Sequence, residues 1–512
     1  MKRLLARPEV ALFVLVLVPY AFFYQAGGWN QNSRFDLVRA IVEQRTFEID
    51  SFTCANPHAA DVPGHLNTGD VSCRGPNGRC QVASEPGERT YCDKAPGVSF
   101  LAVPAYAVAY LVSGRGPEPP GPGYLAGSSH LVTIWAAGVP AAVAVAMVFL
   151  LLGTLGVGMR TQVAVSLAYG LGTLTFPYAT LLYGNSVAAA LLVIAFALLV
   201  RARMGDTSTG PARLSCIGFL LSFSIVVEYS ALLGVVPLLA YAAWFVRPLP
   251  RLGWLVLGMA PPGLLLAAYD WAAFGGPLTL SYEYSVFGYR QQAFFGLGLP
   301  AWEAMRGITF GAFRGLFFGA PWLLLAIPGG AWWVRRGGAR AEMGVCAAVV
   351  LLFFWLNSSL ADWQGGWGMG PRFLVPAIPF MAIAAAGLGP RSVEARRPRL
   401  RMLGWAASAG AVGYSAFMML AGTAVKPEVP LTVPEPFSQF LLPLFYTGEL
   451  AVNTQSIDAG EAVMGQRYAY NLGQTIGLDS LASLLPLLAL MAAAGVWLWW
   501  TLRPDASSGT AR

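Results

Sequence analysis

Apolar residues recur along this chain in runs long enough to cross about 30 Å of hydrocarbon, separated by short polar breaks. The runs lie near residues 10–27, 128–152, 162–182, 186–200, 214–227, 229–246, 252–271, 311–334, 342–358, 372–389, 402–422 and 481–502. They predict an all-α polytopic membrane protein with about twelve transmembrane helices. Composition points the same way: 56% of the 512 residues are hydrophobic and 12% are charged, against roughly 25% charged in a soluble domain. The first run ends at Tyr24–Trp29 without a small-x-small cleavage site, so it is read as an uncleaved first helix.

Charge sets the orientation. A net charge of +7 is compatible with nucleic acid, but the basic residues stand at the ends of apolar runs rather than on one polar stripe. That placement argues for membrane topology and against a nucleic-acid partner. With the N-terminus in the cytoplasm, 19 of the 33 lysines and arginines fall in short inside loops. The chain is therefore expected to be a multi-pass protein of a prokaryotic cytoplasmic membrane. Segment 94–114 is apolar enough to span but contains Pro96 and Pro104, and a crossing there would turn the arginine-rich loops outward. It is read as a juxtamembrane or re-entrant element on the outer face.

The outside segments are then 28–127, 272–310, 359–371 and 424–480, and no internal repeat stands out. The basic loop around Arg396–Arg401 marks a boundary between a transmembrane core, 1–390, and a C-terminal module, 391–512. Cys54, Cys73, Cys80 and Cys92 all lie in the first outside loop. Four cysteines in an oxidising compartment predict two disulfides in one of three connectivities. A zinc site lacks the close Cys-x-x-Cys spacing, and His58, His65 and His130 show no metal-ligand pattern, so no metal is predicted.

Candidate chemistry sits on that outer side. Asn32-Ser33-Arg34-Phe35-Asp36 follows the first span, and Phe35, Val38, Ile41 and Val42 then recur at helical spacing. This predicts an amphipathic surface helix with Asp36 in its exposed first turn. Ser33-x-x-Asp36 also fits a capping box, so Asp36 is either a cap, a catalytic acid or both. Tyr91-Cys92-Asp93-Lys94-Ala95-Pro96 opens the juxtamembrane segment. Lys94 there either snorkels to headgroups or holds a phosphate as a point charge. Trp363–Arg372 packs four glycines and two tryptophans ahead of an arginine. A cation at the outer end of a span opposes the orientation rule, so Arg372 is read as an anion-binding residue. Glu228 stands between two apolar segments, as a substrate contact or a solvated turn. Tyr282 and Tyr284, in a loop bordered by Arg290 and Arg314, offer aromatic faces for a sugar or merely an interfacial belt.

Taken together, the acid after the first span and the aromatic-x-acid-Lys-x-Pro element resemble the GT-C superfamily of membrane glycosyltransferases. The resemblance is to its protein O-mannosyltransferases and lipid A aminoarabinose transferases. It implies a GT-C-like helical fold with juxtamembrane helices. It also implies inverting transfer of a sugar from a polyprenyl-phosphate donor to an envelope glycan, lipid or protein acceptor. On this footing Asp36 takes the acceptor proton, while Lys94 and Arg372 stabilise the departing phosphate. Asn32, Tyr91, Asp93, Glu228, Tyr282, Tyr284 and Trp363 are the substrate-contact candidates. No cofactor is expected beyond the lipid-linked sugar itself. The rival is a transporter or flippase of lipid-linked sugars, which needs ionisable groups near the bilayer midplane.

Overall fold

The computed structural model describes residues 5–54, 64–81, 83, 85–114, 120–205, 209–388, 398–453 and 469–503. The boundary proposed at residue 390, His58, the Cys54 side chain and the middle of the 424–480 loop fall outside the described residues.

Each apolar run becomes helix. Six helices among the described residues are long and apolar enough to cross a membrane: Gly123–Thr154, Gly184–Arg203, Leu249–Phe274, Arg340–Ser359, Met402–Val425 and Ser480–Thr501. Five shorter apolar helices accompany them, Pro8–Phe22, Gly97–Val112, Pro211–Val227, Tyr229–Phe245 and Arg372–Leu388. The remaining two runs are interrupted. One divides into Met159–Leu171 and Thr175–Ala179, the other into Leu316–Gly319, Pro321–Leu325 and Ala326–Arg336. Proline at 177 and 321 and glycine at 172, 315 and 319 account for the breaks, since neither residue type favours a helix interior.

Gly184–Arg203 is the central helix; it is apolar all round and buried along most of its length. Leu249–Phe274 instead turns most of its surface outward, with Trp254, Leu257, Leu264 and Trp271 exposed, the pattern of a lipid-facing helix. The first helix packs along the last, Leu485–Thr501. A short antiparallel pairing of Phe23 with Asn471 and Tyr24 with Tyr470 ties their ends together. The two ends of the chain thus share one wall of the bundle.

Above one end of the bundle, segment 28–127 departs from an all-helical reading. Val71–Gly75 is the middle strand of a three-stranded antiparallel sheet, with Gly78–Arg79 on one side and Arg89–Cys92 on the other. Thr53–Cys54 and Leu66–Asn67 form a parallel pair. Strands of two to five residues are too short for their alternation to stand out in a sequence. Cys73 and Cys80 are joined by a disulfide. Cys92 is a free, buried thiol, so the expected second bridge through it does not form. It lies opposite Val71 in the sheet, inside a core with Leu37, Tyr91, Tyr269 and Phe274.

Gly97–Val112, the segment read as juxtamembrane, packs on Trp29–Arg39 and Pro122–Thr133. Its first residue abuts the end of Pro211–Val227 so closely that a Cβ on Gly97 would stand 2.6 Å from the Val226 carbonyl carbon. That approach fixes the preceding Lys94 over the mouth of the bundle.

Candidate functional site

Lys94 anchors the site. Its Nζ lies 2.9 Å from Asp70 Oδ2 and 2.9 Å from Asp93 Oδ1. Asp93 comes from the end of the edge strand and Asp70 from just before the middle strand, so the sheet register delivers both carboxylates. Asp93 is held again from the 272–310 loop: Ser281 Oγ donates to its carbonyl at 3.0 Å and Ser285 Oγ to its carboxylate at 3.4 Å. Burial alone would lower the Lys94 pKa, but Asp70 and Asp93 outweigh it and hold the ammonium above the ordinary lysine range. Burial likewise works to raise the Asp70 pKa; Lys94, Arg372 and Arg290 overcome it and hold the carboxyl below its usual value.

Arg290 and Arg372 flank this pair. Arg290 stacks on Tyr282 with its guanidinium carbon 3.6 Å from the ring centroid. Arg372 lies over Tyr183 at 5.5 Å and Phe373 at 5.2 Å. Both guanidiniums are half-buried, and among the described residues neither has a carboxylate within salt-bridge distance. Asp362, also half-buried, is a further acid near them. Burial raises its pKa, and Arg372, the Gly366 N–H, Arg290 and Lys94 only partly offset that.

The glycine-rich segment before Arg372 is shaped by what surrounds it. Arg314, fully buried, donates to the carbonyls of Gln364 at 3.2 Å, Gly366 at 3.0 Å and Gly368 at 2.5 Å. Gly365, Gly366 and Gly370 have φ of +74°, +66° and +65°, a region that side-chain-bearing residues rarely adopt. The four glycines therefore wrap one guanidinium and present the other. Trp363, whose carbonyl accepts from Asn357 Nδ2, packs its ring against Gly307.

A second polar group adjoins from the far end of the chain. Tyr183, under Arg372, donates to Glu428 Oε1 at 2.8 Å. Glu428 also accepts from Gln31 Nε2 at 3.1 Å and Gly28 N at 3.2 Å, and pairs with Lys426 at 3.3 Å. On the other flank Arg34, 2% exposed, faces Glu228 at 3.9 Å, while its Nε and Nη1 have no hydrogen-bond partner among the described residues. Glu228 and Lys94 are both close enough to Tyr282 to act on it electrostatically.

Several candidates stand elsewhere. Trp29–Arg39 starts at Gly28, so Ser33 is interior and no capping box forms. Asp36 is buried at 0% exposure rather than standing in an exposed turn. It pairs with Arg39 at 3.5 Å. Arg39 in turn reaches Glu43, the Gly64 carbonyl and the Phe52 ring, and Glu43 accepts from Tyr106. Asn32 is buried, donating to the Asn67 carbonyl at 2.6 Å. Tyr91 and Tyr284 both pack on Phe274 in the core beneath the sheet. Lys94, Asp93, Arg372, Tyr282 and Glu228 gather at the site, whereas Asp36, Tyr91 and Tyr284 belong to its supports. Asp70, Arg290, Asp362, Arg34 and Glu428 escaped notice as site residues. Arg290 carried a signal, as a cation among tyrosines outside the bundle; isolated acids such as Asp70 carried none.

The chain is a helical polytopic membrane protein with a half-open basic cluster at one end of its bundle. No protein-family model matches it, and no curated protein matches it in sequence. Among solved structures it is similar to ArnT from Cupriavidus metallidurans bound to undecaprenyl phosphate, with 14% identity over 96% of this chain and 74% of that one, at a TM-score of 0.47. It is also similar to the archaeal oligosaccharyltransferase AglB from Archaeoglobus fulgidus in complex with an inhibitory peptide and a dolichol-phosphate. There the identity is 10%, over 86% of this chain and 58% of that one, at a TM-score of 0.43.

Proposed function

We propose that the chain transfers a sugar, with inversion, from a polyprenyl-phosphate donor to an acceptor at the outer membrane surface. The observation that carries this is the pair Arg290 and Arg372. They are two half-buried guanidiniums without a carboxylate partner among the described residues, on either side of the Asp70–Lys94–Asp93 cluster. Guanidiniums whose hydrogen-bonding edges are not taken up by a carboxylate, at the mouth of an apolar bundle, suit an anion whose tail lies between helices. Lys94, held by two carboxylates, adds a third positive charge beside the guanidiniums.

In the proposed reaction the acceptor oxygen attacks the anomeric carbon from the face opposite the phosphate. The bond from that carbon to the phosphate oxygen breaks, and its electron pair leaves with the phosphate. Arg290, Arg372 and Lys94 stabilise the growing negative charge. The acceptor proton goes to a carboxylate, and Asp362 suits that role better than Asp36. Its pKa, raised by burial, makes it a stronger base than an ordinary aspartate, and neutralisation of its cationic neighbours by the bound phosphate strengthens it further. Asp36, sealed against Arg39, is assigned to holding the helix after the first span.

Binding of a short-chain polyprenyl phosphate to the purified chain tests this reading, with wild type compared against R290Q/R372Q. Saturable binding that the double variant loses supports it. Equal binding by both proteins, each folded, overturns it.

A further inference from the structure

A cavity lies at the opposite end of the bundle from the basic cluster. Segment Arg372–Leu388 begins at the site just described, and Ala386 and Gly387, at its other end, line a cavity of about 440 Å³. At roughly 1.5 Å per helical residue the two are separated by most of a membrane thickness. The other walls are the turn Leu155–Gly158, the start of helix Met159–Leu171, and Trp332, Trp333 and Arg336 at the end of Ala326–Arg336.

Three features of this cavity suit an anion. Arg160 and Arg336 both line it, both are exposed, and among the described residues neither is paired with a carboxylate. Arg336 is steadied over the Trp332 ring at 4.5 Å. Met159–Leu171 opens at its wall with the N-terminal, positive end of the helix dipole. Thr161 and Gln162 already donate their N–H groups to the Gly158 carbonyl, so the helix end contributes its dipole there rather than those two donors. Independently, Trp333 is 8% exposed, and its indole N–H is buried without a hydrogen-bond partner among the described residues. The Cδ1 edge beside that N–H faces Gly387, 2.7 Å from where a Cβ there would stand. A buried donor left unmade costs about 1–3 kcal/mol; the nitrogen is enclosed at this wall, and an acceptor in the cavity recovers that cost once the indole turns toward it.

We propose that this cavity binds the phosphate of an anionic phospholipid headgroup. Free phosphate shares the chemistry, but the rim favours a lipid. Met159 and Val334 are exposed beside the arginines, and Ile327 lies further along the same helix, so an acyl chain has an apolar track to follow. The arginine-rich end of a bundle is also the end that faces the anionic cytoplasmic leaflet.

The test is native mass spectrometry of the purified full chain with phosphatidylglycerol and with phosphatidylcholine of matched acyl chains. Wild type is expected to retain phosphatidylglycerol preferentially, and R160Q/R336Q to retain about tenfold to thirtyfold less. W333F, which keeps the ring and removes the donor, is expected to lose a smaller part with its thermal midpoint unchanged. Equal retention of the two lipids, or retention indifferent to the arginines in a folded double variant, overturns the proposal. Arginine-dependent stabilisation by millimolar inorganic phosphate, with no phosphatidylglycerol preference, overturns the lipid assignment in favour of the free ion.

Discussion

Two ionic networks lie above the same end of the bundle, and they differ in what they leave undone. Around Asp36 every cation is satisfied internally: Arg39 meets Asp36, Glu43, the Gly64 carbonyl and the Phe52 ring, and the acid–base pair is almost fully buried. Around Lys94 the ammonium is satisfied, but Arg290 and Arg372 meet aromatic rings in place of carboxylates and remain half-open. A closed network specifies geometry. An open one keeps charge available for a ligand. Proximity of a carboxylate to the first span is therefore a weaker guide to chemistry than the partners it keeps.

The largest effect that sharpens this contrast comes from the open network. R290Q/R372Q is expected to lower transfer by at least about 10²–10³ while leaving the thermal midpoint nearly unchanged, since neither residue closes a salt bridge. A folded double variant with normal turnover breaks the comparison. The closed network should behave in the opposite way. D36N removes one of the two carboxylates on buried Arg39 and leaves Glu43 and the Gly64 carbonyl in place. The loss of stability is expected to be measurable but smaller than for a fully broken buried pair, which costs about 3–5 kcal/mol. Thermal denaturation in detergent is expected to show that loss. A D36N protein with a wild-type midpoint and no turnover instead returns Asp36 to the role of base.

Much of this was legible in the chain itself, for a physical reason. A span must satisfy its own backbone in lipid, so long apolar runs had only one structure to adopt, and all became helices. Lys94 and Arg372 were legible as well, because a cation at the mouth of a span needs a reason to be there. The small sheet was not, its strands being too short to show a period. Nor was the fate of Asp36: Ser33-x-x-Asp36 reads as a cap until the helix is seen to begin at Gly28. Asp70 and Asp362 acquire meaning only when separate outer segments converge, and nothing local to either of them encodes that.

pH separates the networks more gently. If Asp362 is the base, transfer needs its carboxylate form. That form disappears as pH falls through the folded-state pKa, which burial raises above the ordinary aspartate value. The acid limb of the rate profile is then expected above the ordinary aspartate pKa, and D362N should abolish it with most of the activity. Lys94 is held above its ordinary range, so it contributes no alkaline limb near neutrality. An acid limb that survives in D362N assigns the proton to another group.

The smallest effect is also the most local, because Cys92 lies on the seam between the two networks. Its thiol is buried, next in sequence to Asp93, and burial pushes its pKa up to about 11, with Arg34 opposing the rise. A neutral, enclosed thiol is a poor nucleophile. Iodoacetamide applied to intact membranes is therefore expected to leave Cys92 unmodified until the protein is denatured, and Cys73 and Cys80 unmodified until it is also reduced. C92S should change turnover by less than about threefold, since the thiol touches no reacting group, while a hydroxyl placed in this apolar core costs about 1–3 kcal/mol of stability. Rapid alkylation of Cys92 in the folded protein instead shows that the wall between the networks opens, and that burial no longer distinguishes Asp36 from the acids around Lys94.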